Sequence, residues 1–215
     1  MIQQSPRKTP LLALVDCEIK LPRSANQIIY GQQHEVLTIL EKHFDNLNNV
    51  ELYCPARNST MGLLNFEQTR AQIEYGAIVR DHVTIEDSAV IMMGAILNCG
   101  CRIGANTRVD FGVIIGAGAK LGKCCHIGAN SVIGTAELPM NEKSVIIENN
   151  VFVGPGVVVL DGVHIAEGAE IAAGSVVVDD VPVNAVMAGC PAKIIKIKDK
   201  KTESGTQWLE ALREL

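Results

Sequence analysis

Every sixth residue from Ile73 to Ile133 is Ile, Leu or Val, running through Val79, Ile85, Ile91, Leu97, Ile103, Val109, Ile115, Leu121 and Ile127 without a miss. The series resumes two residues out of phase at Ile147 and continues through Val153, Val159, Ile165, Ile171 and Val177. Two positions before most of these aliphatics stands a small or β-branched residue, as at Ala89, Ala95, Cys101, Thr107, Ala119, Cys125 and Ser131. A strict period of six matches neither the helical repeat near 3.6 nor the simple alternation of an ordinary strand. It is the hexapeptide signature of a parallel β-helix, in which short strands stack as the sides of a prism.

Three hexads close one triangular coil, so the spacing predicts coils over 73–90, 91–108, 109–126, 127–146, 147–164 and 165–182. With rungs about 4.8 Å apart, six coils make a prism roughly 29 Å tall. The fourth coil is longer by two residues, and the run Gly134–Ser144 with its proline and charges predicts a loop over 134–146. Asn98, Gly100, Asn106, Gly118, Asn130, Asn149, Asn150 and Gly168 are expected at corners, where positive φ is needed. Ahead of the prism, over 1–70, the pattern predicts a small α/β region. Its helix spans His34–Leu47 and its short strands lie near Leu11–Val15 and Ile28–Tyr30. The prism itself is assigned to 71–190, and 191–215 to a strand and a short helix over Gln207–Leu215.

Aromatic residues make up only 4% of the 215-residue chain, which suits a narrow core filled by aliphatic side chains. A formal net charge of −5 argues against a nucleic-acid surface. No apolar run is long enough to span a membrane and no signal-peptide pattern opens the chain, so a cytoplasmic protein is expected. The odd total of seven cysteines, with Cys101 and Cys125 at inward small positions, reads as reduced structural thiols.

A prism packed with aliphatics has no internal cavity, so chemistry must lie on its outside or between copies. Flat faces favour self-association, and a homotrimer with clefts between prisms is expected. His126 and His164 each precede an inward aliphatic and therefore point outward. By the two-residue slip they share one face two coils apart, about 10 Å, too far for a common metal. His82 falls at a corner of another coil, and no metal site is expected. Asp110 follows Val109, where glycine is common, and Asp161 sits at a corner. Both carboxylates point out of the prism. Lys193, Lys196, Lys198, Lys200 and Lys201 form a basic cluster suited to phosphate groups or to plain solvation.

Several blocks resemble the tetrahydrodipicolinate N-acetyltransferases: Arg57-Asn58-Ser59, Ala71–Asp81, Val90–Ala95, Gly122–Ala129, Val159–Val163 and Ala188–Lys193. The likeness runs from about residue 10 to the C-terminal tail. It implies a left-handed prism and acetyl transfer from acetyl-CoA to the amine of tetrahydrodipicolinate. The acceptor is thus a small molecule of the diaminopimelate and lysine route, and the donor a CoA thioester. It further implies Asp110 and Asp161 as the catalytic carboxylates, and Arg80 and Met93 as acceptor-binding residues. Ala173 and Gly174 would hold the thioester through their amides, with Gly189, Pro191 and Lys193 lining the coenzyme arm.

Three departures from the family pattern stand out. Asp161 replaces a glutamate, Phe111-Gly112 replaces Met-Asn, and Gly116-Ala117-Gly118-Ala119 lacks an arginine that the family carries. A dicarboxylate acceptor favours arginine donors, and Arg108 is the nearest substitute. Two other readings fit the residues alone: an acetyltransferase for another small amine, such as an amino sugar, with His82 or His126 as base, and a non-catalytic prism scaffold.

Overall fold

In the computed structural model the described residues are 10–15, 27–43, 50–53, 62–65, 69–134 and 143–198. The chain divides into two compact units, Met1–Gly62 and Leu63–Leu215. In the first, strand β1 (Pro10–Val15) pairs antiparallel with both β2 (Gln27–Gln32) and β3 (Val50–Tyr53). Helix α1 (Gln33–His43) buries Val36 and Leu40, a one-turn spacing that puts both on one stripe. The residues beyond His43 in the expected helix lie outside the described set, and β3 went unanticipated because its four residues show no strong alternation.

The second unit is the β-helix. Two-residue strands stack in parallel on three faces, with consistently one aliphatic of each pair turned inward. The first face carries Gln72–Ile73, Val90–Ile91, Arg108–Val109, His126–Ile127, Phe152–Val153 and Glu170–Ile171. The second runs from Ile78–Val79 to Val176–Val177 and the third from Thr84–Ile85 to His164–Ile165. The hexad aliphatics from Ile91 to Val177 are all almost wholly buried. The strands Ala185–Gly189 and Ala192–Ile197 form an antiparallel hairpin that continues the first face beyond its last coil.

Polar residues at inward small positions are satisfied between rungs. The Thr107 hydroxyl donates to Gly122 O (2.7 Å) and accepts from Cys125 N (3.0 Å). Ser131 bonds Gly154 O and Val157 N in the same way. Burial pushes the Cys101 thiol up to about 12, with nearby Cys99 adding to the effect, so it behaves as a compact apolar filler. Among the described residues no helix is long and apolar enough to cross a membrane.

The register corrects the sequence-based coil count in one place. Leu121 pairs with Ile147, Ile127 with Val153 and Ile133 with Val159, each step covering 26 residues where the other coils use 18. The excursion after Gly134 therefore adds eight residues to a single prism side, rather than two to a whole coil. The coils from that point are 127–152 and 153–170, followed by a last one from Ile171. His126 and His164 accordingly do not share a face: His126 lies on the first, beside Arg108 and Phe152, and His164 on the third, beside Ile146.

The corners also differ in detail from expectation. Left-handed φ recurs every sixth residue from Gly76 to Asn130 and again from Asn150 to Gly174, and includes His82, Ser88 and Cys124. Asn98 and Asn149 are not among them. Their side-chain oxygens instead accept from the backbone amides of Cys99 and Lys123.

Candidate active site

On the first face, in-register stacking puts Arg108 directly below His126. Asp110 follows Val109 around the first corner and turns its carboxylate back toward both. Arg108 Nε donates to Asp110 Oδ1 at 2.8 Å, and His126 Nε2 lies 3.2 Å from Oδ2. The two carboxylate oxygens are thus divided between two cationic or potentially cationic partners. The side chains of Asp110 and His126 are each 16% exposed, a setting sheltered from bulk water but reachable by a ligand. Above, the His126 ring stacks on Phe152, and Arg108 Nη2 meets Met92 Sδ at 3.0 Å.

Burial tends to raise the Asp110 carboxyl, but hydrogen bonds from His126 and Arg108 and their charges outweigh it and hold it below the usual carboxylate value. Asp110 is therefore ionised at neutral pH and is a weak proton acceptor by itself. Sequence reasoning had singled out Asp110, Arg108 and His126 separately. The 18-residue offset between Arg108 and His126 is the sequence signal that they meet on adjacent rungs.

Higher on the same corner stand Ala173 and Gly174, three rungs above Asp110, or about 14 Å at strand spacing. At three other corner positions the corresponding amide is taken by a carboxylate from one rung below: Glu74 accepts from Met93 N, Glu86 from Ala105 N and Glu148 from Glu167 N. Below Ala173 stands Gly154, which has no side chain to offer, and among the described residues no group takes the Ala173 amide. The closeness of the rungs requires that glycine, because a Cβ there would lie 2.6 Å from Ala173 N. Gly174 departs from expectation: its amide donates to Pro155 O (2.9 Å), so it is not available to a thioester oxygen. A Cβ built on Gly156 or Gly174 meets nothing, so this stretch of the corner is open.

Gly189 N donates to Ser175 Oγ, which brings Gly189 and Pro191 to the same upper end. Lys193 is exposed and lies 3.8 Å from Asp179. Open corner, free amide, glycines and an exposed ammonium fit the carbonyl, extended arm and phosphates of a CoA thioester. Lys198 is a different case: its ammonium is nearly buried and paired with Glu170, so it locks the last strand. Lys200, Lys201, the Arg57-Asn58-Ser59 block, the terminal helix and most of the 134–146 loop lie outside the described residues.

Met93 sits on the first corner next to Phe111 and is 54% exposed. Arg80 and Asp161 do not join this group within one chain. They lie on the second corner, where Arg80 Nη1 donates to Asn98 Oδ1 at 3.0 Å. Both border a shallow groove of about 520 Å³ over the second face, floored by Ile96, Ile114, Val132 and Val158. His82 is exposed on that corner too. Among the described residues no cluster of three or more His, Cys, Asp or Glu side chains is placed to hold a metal ion.

The model for "Bacterial transferase hexapeptide (six repeats)" matches residues 100–135 and 144–179. A 2,3,4,5-tetrahydropyridine-2,6-dicarboxylate N-acetyltransferase of Exiguobacterium sibiricum is 48% identical over 190 residues, covering 88% of this chain and 81% of that protein. Among solved structures, PerB from Caulobacter crescentus, in complex with CoA and GDP-perosamine, is 28% identical with a TM-score of 0.54. That match covers 60% of this chain and 58% of PerB, so less than two thirds of the solved protein is spanned. A histidine-to-alanine variant of the same perosamine acetyltransferase gives 29% identity and a TM-score of 0.55, over 60% of this chain and 57% of the other. With nearly half its residues identical along most of both chains, the protein belongs to the 2,3,4,5-tetrahydropyridine-2,6-dicarboxylate N-acetyltransferases, hexapeptide-repeat enzymes of left-handed β-helix fold that use acetyl-CoA.

Proposed function

We propose that this enzyme acetylates the amine of ring-opened 2,3,4,5-tetrahydrodipicolinate, in the diaminopimelate and lysine route. The single observation that carries the site assignment is the sheltered Asp110–His126 contact beside Arg108. Water adds to the cyclic imine and the ring opens to a ketone and a primary amine. The amine nitrogen attacks the thioester carbonyl carbon, and its proton passes to His126. Asp110, holding Nε2, leaves Nδ1 as the acceptor nitrogen and stabilises the imidazolium that forms. The Ala173 amide, two rungs or about 10 Å above His126, is too far to share the reacting carbonyl and is left to the coenzyme's arm. Collapse breaks the carbon–sulfur bond, and the proton on His126 returns to the CoA sulfur, which leaves as the thiol.

In this reading Asp110 acts through His126 and is a positioning residue. Asp161 and Arg80 enter from a neighbouring copy. The outward residues of the second face, Ile78, Ile96, Ile114, Val132, Val158 and Val176, are apolar at every rung, the pattern of a face covered by another subunit. A cyclic trimer buries all three such faces and brings one copy's second corner to the next copy's first.

The test is to incubate purified protein with acetyl-CoA and freshly made tetrahydrodipicolinate and to look for the N-acetyl-2-amino-6-oxopimelate mass. The product is expected with the native chain and is lost in His126→Gln. CoA binding without product would move the acceptor to another small amine, such as an amino sugar, and absence of both would leave a scaffold.

A further inference from the structure

Arg108 is the nearest substitute for the arginine absent from Gly116–Ala119, and its geometry differs from that of a free carboxylate receptor. Its Nε is committed to Asp110 Oδ1 at 2.8 Å and its Nη2 lies 3.0 Å from Met92 Sδ, with the side chain 27% exposed. Arg108 and His126 leave the same face on successive rungs, so both reach Asp110 from one side. The carboxylate has two oxygens, and each is claimed by one of them.

We propose that Arg108 is a positioning residue for catalysis: it fixes Asp110 so that Oδ2 is held on His126 Nε2 while the substrate is bound. This rests on the proton route proposed above. A carboxylate with one oxygen tied to a planar, permanently charged guanidinium is restrained about its terminal torsion. Released from it, Asp110 swings, and the imidazole loses the group that sets its tautomer and orientation. On the first face of the same chain the described neighbours offer no substitute. Below Arg108 on this face comes Val90, and above His126 come Phe152 and then Glu170, which is taken up by Lys198. Arg108 also helps keep Asp110 ionised against its burial.

The experiment compares Arg108→Gln and Arg108→Lys with the native chain in the acetyl-CoA and tetrahydrodipicolinate assay across pH, alongside His126→Gln. For Arg108→Gln the expected result is a kcat lower by about tenfold, part of the 10²–10⁴ that a positioned general base supplies. The acceptor KM stays within about twofold, because the ground-state contact is not Arg108's role. Asp110, having lost one of its two donors, protonates at higher pH, so the acid limb of kcat moves upward. Arg108→Lys restores part of the rate. An acceptor KM raised tenfold or more with kcat and acid limb unmoved would overturn the proposal, because Arg108 would then grip the substrate. Native behaviour of Arg108→Gln in all three readouts would overturn it as well. If Arg108→Gln does not fold, Arg108→Lys carries the same comparison. Full activity in His126→Gln would instead sink the parent proton route, so the two failures are distinguishable.

Discussion

The ring of His126 lies on that of Phe152, with centroids 5.2 Å apart and planes 13° from parallel. The stack comes from register, because the two residues are partners on adjacent rungs. It fixes the tilt of the imidazole, while Asp110 fixes its rotation within that plane.

Replacing Phe152 by Ala should therefore lower kcat severalfold. Its cost in stability is about 1 kcal/mol from the lost ring pairing, with further loss from the exposed area. Phe152→Leu should regain most of the stability and little of the rate. Thermal unfolding and initial rates on the same preparations check this, and an unchanged kcat in Phe152→Ala would show that the stack does not orient the base.

The Asp110 carboxyl is held below its ordinary value in the folded protein. A depressed carboxyl contributes stability that is fully present above the unfolded value, about 3.9, and is lost as pH falls through the lower folded one. The gap in melting temperature between the native chain and Asp110→Asn should thus be widest above about pH 5 and narrow below about pH 4. Melting curves from pH 3 to 8 decide it. A gap that widens on acidification would mean that Asp110 is not held ionised by its neighbours.

Ile114 stands at the middle of the second face's outward apolar ladder and is 41% exposed. If the chain forms the trimer proposed above, a lysine there should split it into monomers, readable by light scattering coupled to size exclusion. Acetyl transfer should fall with it, because the proposed cleft between neighbouring copies would be lost. A trimer that survives Ile114→Lys would place the subunit contact elsewhere.

The prism was legible because its cause is local and repeated. Each hexad aliphatic reports its own inward orientation, and only the excursion after Gly134 disturbed the count. There, eight added residues hold one full hexad length plus two, and phase alone cannot separate a long loop from an extra side. That ambiguity moved His164 to the wrong face. Asp110, Arg108 and His126 were each visible as outward polar residues, but their meeting depends on register across a coil and on side-chain direction at a corner. The role of Gly154 was hidden altogether, because what matters there is a missing side chain beneath the Ala173 amide.

The stacked rungs also set the scale on which such an enzyme is able to change. The rungs that carry Asp110 and Ala173 are three coils apart, and each coil bonds its backbone to the next. The distance between the proton-handling end and the donor end is consequently quantised in steps of about 4.8 Å. Loops at the corners can lengthen freely, as the one after Gly134 has, without altering that distance. A substrate larger or smaller by a single bond must be met by side chains on the faces, since the ruler itself only adds or loses whole divisions.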